Sequence, residues 1–196
     1  LSVDSRKVVP GGIFFAVPGE NFDGHDFIDD AVTYGANTIV CEKVPENTHN
    51  GVVYVKVGRV QDVIGVIASE FFDNPSEKLS VVGVTGTNGK TTVATMLYKL
   101  FEALGEKSGL LSTIENRVGD TVVPATHTTA DPIILQENLA EMVKQNCRYA
   151  FMEVSSHSLV QGRVKGVNFT GAIFTNLSQD HLDYHKTMEE YAKAKK

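Results

Sequence analysis

Apolar positions along this chain fall into short dense runs and longer, spaced runs, and the two kinds alternate. Ile13-Phe14-Phe15-Ala16-Val17, bounded by Gly11-Gly12 and Pro18-Gly19, predicts a buried strand. Phe27, Ile28, Ala31 and Val32 recur at helical spacing between His25 and about Tyr34. Thr38–Cys41 and Val52–Val57 read as two further strands, and Val60–Ala68 as a helix running to about Phe72. Asp73-Asn74-Pro75-Ser76 then punctuates the chain with turn formers and a proline. This predicts a domain boundary near residue 76, with a small α/β domain before it.

The alternation resumes after the break. Leu79–Val84 reads as a strand, followed by a glycine-rich turn and a helix over residues 90–104, with Gly105 where a capping glycine belongs. Ser108–Leu111 is a short strand. Residues 131–146 form a helical pattern with Pro132 in its first turn, and Tyr149–Val154 and Gly171–Thr175 are apolar strands. Strands alternating with helices predict a mainly parallel sheet. About four strands are expected after residue 76, fewer than the 5–6 of an average sheet, and a final helix from near Thr187 runs to the last residue. Both features predict an incomplete second domain. The chain also begins on Leu1 rather than Met, which implies a start upstream.

Composition narrows the class. Hydrophobic residues make up 42% and charged residues 21%, which predicts a packed core. No apolar run reaches the ~18 residues of a membrane span, and Leu1–Arg6 lacks a signal-like apolar region. Cys41 and Cys147 are too few and too far apart for a disulfide framework or a zinc site. They read as reduced structural thiols of a cytoplasmic protein. The net charge of −6 lies within residues 1–76, which hold 5 basic and 11 acidic residues, while the rest holds 13 of each. No basic stripe points to nucleic acid as a partner.

The chemistry-bearing segment is Gly86-Thr87-Asn88-Gly89-Lys90-Thr91-Thr92. Its tail matches the phosphate-loop pattern G-x-x-x-x-G-K-[ST], but Val84 occupies the position of the first glycine. The context still suits a phosphate: a strand leads in, a helix leads out, and helix N-terminal amides aim at one spot. Lys90 would reach the β- and γ-phosphates, and the Thr91 hydroxyl would face Mg2+. Ligands of open α/β sheets bind beyond the carboxyl ends of the strands. Glu153, with Ser155, Ser156 and His157, ends one strand there; Asn176, Asp180 and His181 follow another. A carboxylate at the end of a buried strand is costly unless it is paired or binds a cation, so Glu153 is a candidate Mg2+ ligand. His181 alone would be a weak candidate, since Mg2+ prefers oxygen.

Val84–Thr92 resembles the ATP-binding signature of the Mur ligase family, which includes the folylpolyglutamate synthetases. Met152–Val164 and Phe174–His185 resemble the MurE type, the UDP-N-acetylmuramoyl-tripeptide synthetases; Asp4-Ser5-Arg6 with Gly11–Gly19 resembles that type's N-terminal domain. The resemblance implies a UDP-sugar-binding domain over residues 1–76 and an ATPase domain over 77–196. It implies an ATP-dependent ligase that adds the third amino acid to UDP-MurNAc-L-Ala-D-Glu through an acyl phosphate, in peptidoglycan synthesis. ATP and Mg2+ are the implied cofactors, the UDP-MurNAc-dipeptide and an amino acid the partners, and a monomer the implied state.

By the same resemblance Lys90, Glu153, His181 and Lys195 are catalytic, Gly86–Thr92 and Asn176 bind ATP, and Thr91, Glu153 and His181 serve Mg2+. Lys195 matches a lysine that the family carbamylates; by position alone it reads as a solvated helix lysine. Ser5, Glu20, Asn21 and Phe22 are assigned to uridine and pyrophosphate, and Thr128, Thr129, Ser155, Gln161 and Arg163 to the rest of the substrate. His127 and Ala130 depart from the family's usual residues around Thr128-Thr129, and Glu20 puts negative charge near a pyrophosphate. The family's amino-acid-selecting third domain has no counterpart in these 196 residues, so the chain alone is expected to have little or no ligase activity. Other readings are a related ligase, folylpolyglutamate or cyanophycin synthetase, and a non-catalytic P-loop module.

Overall fold

The computed structural model describes residues 1–19, 22–125, 127–180 and 182–195. It separates into two compact units, Leu1–Ile64 and Gly65–Lys196.

The first unit carries a three-stranded parallel sheet in the order β1-β2-β3: β1 (Gly12–Phe15), β2 (Ala36–Cys41) and β3 (Val53–Lys56). Phe14 of β1 and Ala36, Ile39 and Cys41 of β2 pack with Ile28 and Ala31 of helix α1 (Ile28–Thr33). The helical pattern expected from His25 is a 3-10 turn, Gly24–Phe27, leading into α1. Asp23 caps that turn by accepting from the His25 amide. His25 in turn accepts the Glu42 amide at Nε2 (2.9 Å) and meets Asp23 at Nδ1 (2.7 Å), so its ring joins the turn to the end of β2. Helix α2 (Val60–Phe71) crosses the division between the units.

The second unit is built on a six-stranded sheet, two strands more than the sequence pattern predicts. The order is β7-β6-β5-β8-β4-β9. Strands β4 (Ser80–Thr85), β5 (Ser108–Leu111), β8 (Tyr149–Glu153) and β9 (Gly171–Phe174) are the four expected ones, and all are parallel. The additional pair, β6 (Glu115–Val118) and β7 (Thr121–Pro124), is an antiparallel hairpin on the β5 edge. A two-residue Gly119-Asp120 turn closes it, with Gly119 at φ 57°. That dipeptide between alternating residues was the available signal. Six strands are ordinary for a sheet, so the strand count no longer argues for an incomplete domain.

Strand alternation gives the sheet two apolar faces. Val84, Leu110 and Phe151 face helix α3 (Lys90–Ala103) through Ala94, Leu97 and Phe101. Val81, Leu111, Ala150 and Met152 face α4 (Pro132–Lys144) through Leu135, Leu139 and Met142. Asp131 starts α4 by accepting from the Ile133 and Ile134 amides, and Gly105 ends α3 at φ 82°. Three short helices complete the unit: α5 (Ser156–Val160), α6 (Leu182–His185) and α7 (Met188–Ala194). Cys41 and Cys147 are both buried and unpaired, and burial pushes both thiols above their usual range. Among the described residues no helix is long and apolar enough to cross a membrane.

Candidate functional site

Sheet register brings the site together. Val84 pairs with Glu153 and Thr85 with Phe174, while Leu111 pairs with Met152. Because these four strands are parallel, the segments that follow them leave the sheet at one edge. Gly86, Val154, Thr175 and Ser112 therefore begin neighbouring loops.

The glycine loop leaves β4 through Gly86 at φ 140° and enters α3 through Gly89 at φ 84°. A side chain at Gly86 would meet Thr175 Oγ1 at 2.0 Å, so both conformation and space require glycine there. The first backbone bond of α3 runs from the Val93 amide to Gly89 O (2.9 Å). The amides of Gly89, Lys90, Thr91 and Thr92 thus precede the helical ladder, as an anion seat requires. The amides of Thr87 and Asn88 are used differently: they donate to Asn176 O (2.9 Å) and Asn176 Oδ1 (3.1 Å). Asn176 Nδ2 donates back to Asn88 O at 3.0 Å, and Thr175 Oγ1 donates to the same carbonyl at 2.7 Å. Asn176 is here a buttress of the loop.

Lys90 folds back onto its own loop, donating from Nζ to Gly86 O and Thr87 O, both at 2.9 Å. Lys195 reaches the same Gly86 carbonyl at 3.0 Å and Thr85 Oγ1 at 3.4 Å. It does not extend into solvent as its sequence position suggests. Burial, then the Lys90 charge, push its amine down to about 8 from the usual 10.5, with Asp180 partly opposing. An amine with that value is still mostly protonated near physiological pH but carries a far larger neutral, nucleophilic fraction than an ordinary lysine.

Glu153 is 1% exposed and fully engaged. Its carboxylate accepts from Thr91 Oγ1 (2.9 Å), from the Thr113 amide (2.8 Å) and from Thr113 Oγ1 (3.3 Å). A buried carboxylate held by hydroxyl and amide donors is the arrangement expected of a cation ligand or a polar strut. Thr91 and Glu153 offer hard oxygens 2.9 Å apart beside the anion seat. That fits Mg2+, which commonly takes one or two carboxylates and fills its shell with phosphate and water. Among the described residues no group of three His, Cys, Asp or Glu side chains gathers as a metal site. His181, Glu20 and Asn21 lie outside the described residues.

The second set of expected residues converges on Glu153 from the other side. Thr129 Oγ1 donates to Glu153 O (2.9 Å) and accepts the Ser155 amide (3.2 Å). Arg163 donates from its NH1 to Thr129 O and from Nε to Gln161 Oε1, both at 2.9 Å. Thr128 Oγ1 and Thr113 Oγ1 share a hydrogen bond at 3.1 Å, and Ser155 caps α5 through the Ser158 amide. In the first unit Ser5 is buried in a 3-10 turn (Ser5–Lys7), and Phe22 is 75% exposed. Thr113, Ser178 and Tyr191 are loop or Glu153 partners that the sequence reading missed. None of the three carried a local signal; Thr113 is an ordinary threonine two residues past the end of a predicted strand. A separate cavity of about 490 Å3, lined by Tyr184, His185 and Lys193 among others, contains no loop residue.

A parallel sheet with a strand–glycine loop–helix at its carboxyl edge defines a P-loop-type α/β protein. Residues 84–196 match the Mur ligase middle domain, and residues 1–72 match the Mur ligase family catalytic domain. The chain belongs to the Mur ligase family. It is 53% identical over 196 residues to the UDP-N-acetylmuramoyl-L-alanyl-D-glutamate--2,6-diaminopimelate ligase of Phocaeicola vulgatus, covering 100% of this chain and 40% of that protein. The protein of the same name from Cytophaga hutchinsonii is 55% identical over 197 residues, with the same coverage. The chain therefore spans about two fifths of the length of these curated relatives. A solved structure of a ligase of that name overlays with a TM-score of 0.85 at 32% identity, over 99% of this chain and 39% of that one. The MurF ligase of Thermotoga maritima in complex with ADP overlays with a TM-score of 0.66 at 27% identity, over 99% of this chain and 41% of that one.

Proposed function

We propose that this chain is the substrate-gathering and ATP-using part of a ligase of the MurE type, which joins an amino acid to the D-Glu carboxylate of UDP-MurNAc-L-Ala-D-Glu. The observation that carries the reading is the Thr91–Glu153 hydrogen bond beside the glycine loop onto which Lys90 folds, at the carboxyl ends of the parallel strands. The relatives' names, at 50% identity and above over the whole chain, support the substrate. We assign residues 1–76 to UDP-sugar binding and 77–196 to ATP binding; the family matches end at 72 and resume at 84, on either side of that boundary.

Each residue's task follows from its chemistry. ATP supplies the phosphoryl group that makes the carboxylate an acyl phosphate, and Mg2+ supplies positive charge. Lys90 is positioned to turn from the loop carbonyls to a phosphate and to lower the repulsion between two anionic reactants. Thr91 and Glu153 hold the metal side, with His181 assigned to the same site. The Gly89–Thr92 amides seat phosphate, and Asn176 keeps the preceding turn rigid. Lys195, with its lowered amine, is suited to carbamylation, which would replace a cation beside the loop with an anion. Thr128, Thr129, Ser155, Gln161 and Arg163 form the substrate side, and Ser5 with the Glu20–Phe22 segment the uridine side. We assign the protein to the cytoplasm, as a monomer.

The test is amide formation from UDP-MurNAc-L-Ala-D-Glu, ATP and an amino acid by the intact protein. The expected result is ATP-dependent product that disappears in Lys90→Ala. Product at the unsubstituted rate in that variant would refute the loop's role. Binding of folate but not of the muropeptide would move the protein to the folylpolyglutamate branch, and binding of nucleotide alone would make it a P-loop module.

A further inference from the structure

The glycine loop is held by a side chain to which the sequence pattern assigns nothing. Tyr191 of α7 is fully buried, with its hydroxyl 3.0 Å from Thr87 Oγ1. Thr87 is itself buried and heavily committed. Its hydroxyl donates to Ser178 O (3.2 Å) and accepts the Ser178 amide (3.0 Å), while its own amide donates to Asn176 O (2.9 Å). With the threonine proton directed to Ser178, the tyrosine is the donor in the remaining bond. The Tyr191 ring also lies 4.9 Å from Lys195 Nζ and 5.1 Å from the His185 ring.

We infer that Tyr191 is a positioning residue of the phosphate loop, whose hydroxyl fixes Thr87 and thereby the turn that aims the Gly89–Thr92 amides. Two observations separate this from a packing role. A phenylalanine would fill the same space and keep the same ring contacts, so the hydroxyl is the part that addresses the loop. The atom it addresses lies inside Gly86–Gly89, the stretch whose two positive-φ glycines leave it least able to hold its own shape. Amides that bind a phosphate are effective only when they need no rearrangement to do so, and an external tie supplies that rigidity. What the loop binds rests on the nucleotide reading above; the tie itself does not.

The experiment is a double-substitution cycle in the intact protein, using Tyr191→Phe and Thr87→Val and read by amide hydrogen exchange and MgADP titration. In Tyr191→Phe the Gly86–Thr91 segment should exchange about 10-fold faster, and MgADP should bind about 5–10-fold more weakly. Exchange in β8, which the tie does not touch, should stay unchanged. In the Thr87→Val background the tyrosine substitution should add less than about 2-fold to either effect. Unchanged loop exchange, an equal effect in both backgrounds, or faster exchange with undiminished ADP affinity would each overturn the inference. No ADP binding by the unsubstituted protein would instead overturn the nucleotide reading, and the exchange measurements would still decide the tie.

Discussion

In the first unit only Ser5 and Phe22 of the candidate ligand residues lie among the described residues. Ser5 sits in a 3-10 turn and Phe22 projects into solvent at 75% exposure. In the second unit most of the described candidate side chains outside the glycines are tied to a neighbour. Lys90 holds two loop carbonyls, Asn176 makes three bonds to the loop, and Glu153 accepts from Thr91 and Thr113. Under the proposed assignment of a sugar nucleotide to the first unit and ATP to the second, the contrast follows from what each ligand requires. A sugar nucleotide can be recognised by discrete contacts that form on arrival. Phosphoryl transfer depends on charges and amides already in place, because reorganising them would cost part of the barrier reduction they provide.

Substitutions in the two units can break or sharpen this contrast. The largest effect is expected from Lys90→Ala, which should lower the ligase rate by about 10²–10³-fold with little change in melting temperature, measured by steady-state assay and thermal unfolding. A comparable loss of folding would show that the lysine is structural. Glu153→Ala should cost both activity and about 1–3 kcal/mol of stability, because Thr91 and the part-buried Thr113 amide lose their acceptor. Urea unfolding with an unchanged midpoint would remove Glu153 from the polar network. Gly86→Ala should destabilise by about 1–3 kcal/mol through backbone strain and the collision with Thr175.

Lys195 gives a pH test. Its folded value near 8 lies below the unfolded 10.5, so the native state binds fewer protons than the unfolded state between them. Its contribution therefore opposes folding below about pH 8 and is relieved as pH rises from 8 to 10.5. Amine-labelling rates at Lys195, followed by mass spectrometry, should rise with a midpoint near pH 8 while other lysines lag. A midpoint near 10.5 would return Lys195 to the solvated class. The smallest effect on stability belongs to the first unit: Phe22→Ser should change it by less than about 0.5 kcal/mol yet weaken UDP-sugar binding in a calorimetric titration.

The sequence made the second unit's parallel strands legible because buried parallel strands are continuous apolar runs. It made the loop legible because its glycines fall between such a run and a helix. The β6–β7 hairpin escaped because Asn116, Arg117 and Thr121 dilute its apolar alternation, leaving only Gly119-Asp120 to mark it. Glu153 was readable as a lone acid at a strand end, but its partner Thr113 was not, since an unremarkable threonine after a strand carries no pattern. Lys195 looked solvated for a related reason. Its burial comes from β4, more than a hundred positions earlier in the chain, and no local window contains that contact.

The tie between Thr87 and Tyr191 joins positions 104 apart, and this has a consequence during synthesis. The ribosome releases the loop first and its clamp last. At roughly 5–20 residues per second, the loop waits on the order of 5–20 s before Tyr191 exists. The lysine that shares its carbonyl emerges four residues later still. A nascent chain that has completed β4 and α3 therefore carries the loop without its fastener, and nucleotide affinity on arrested ribosomes should rise by about 5–10-fold once α7 has cleared the exit tunnel.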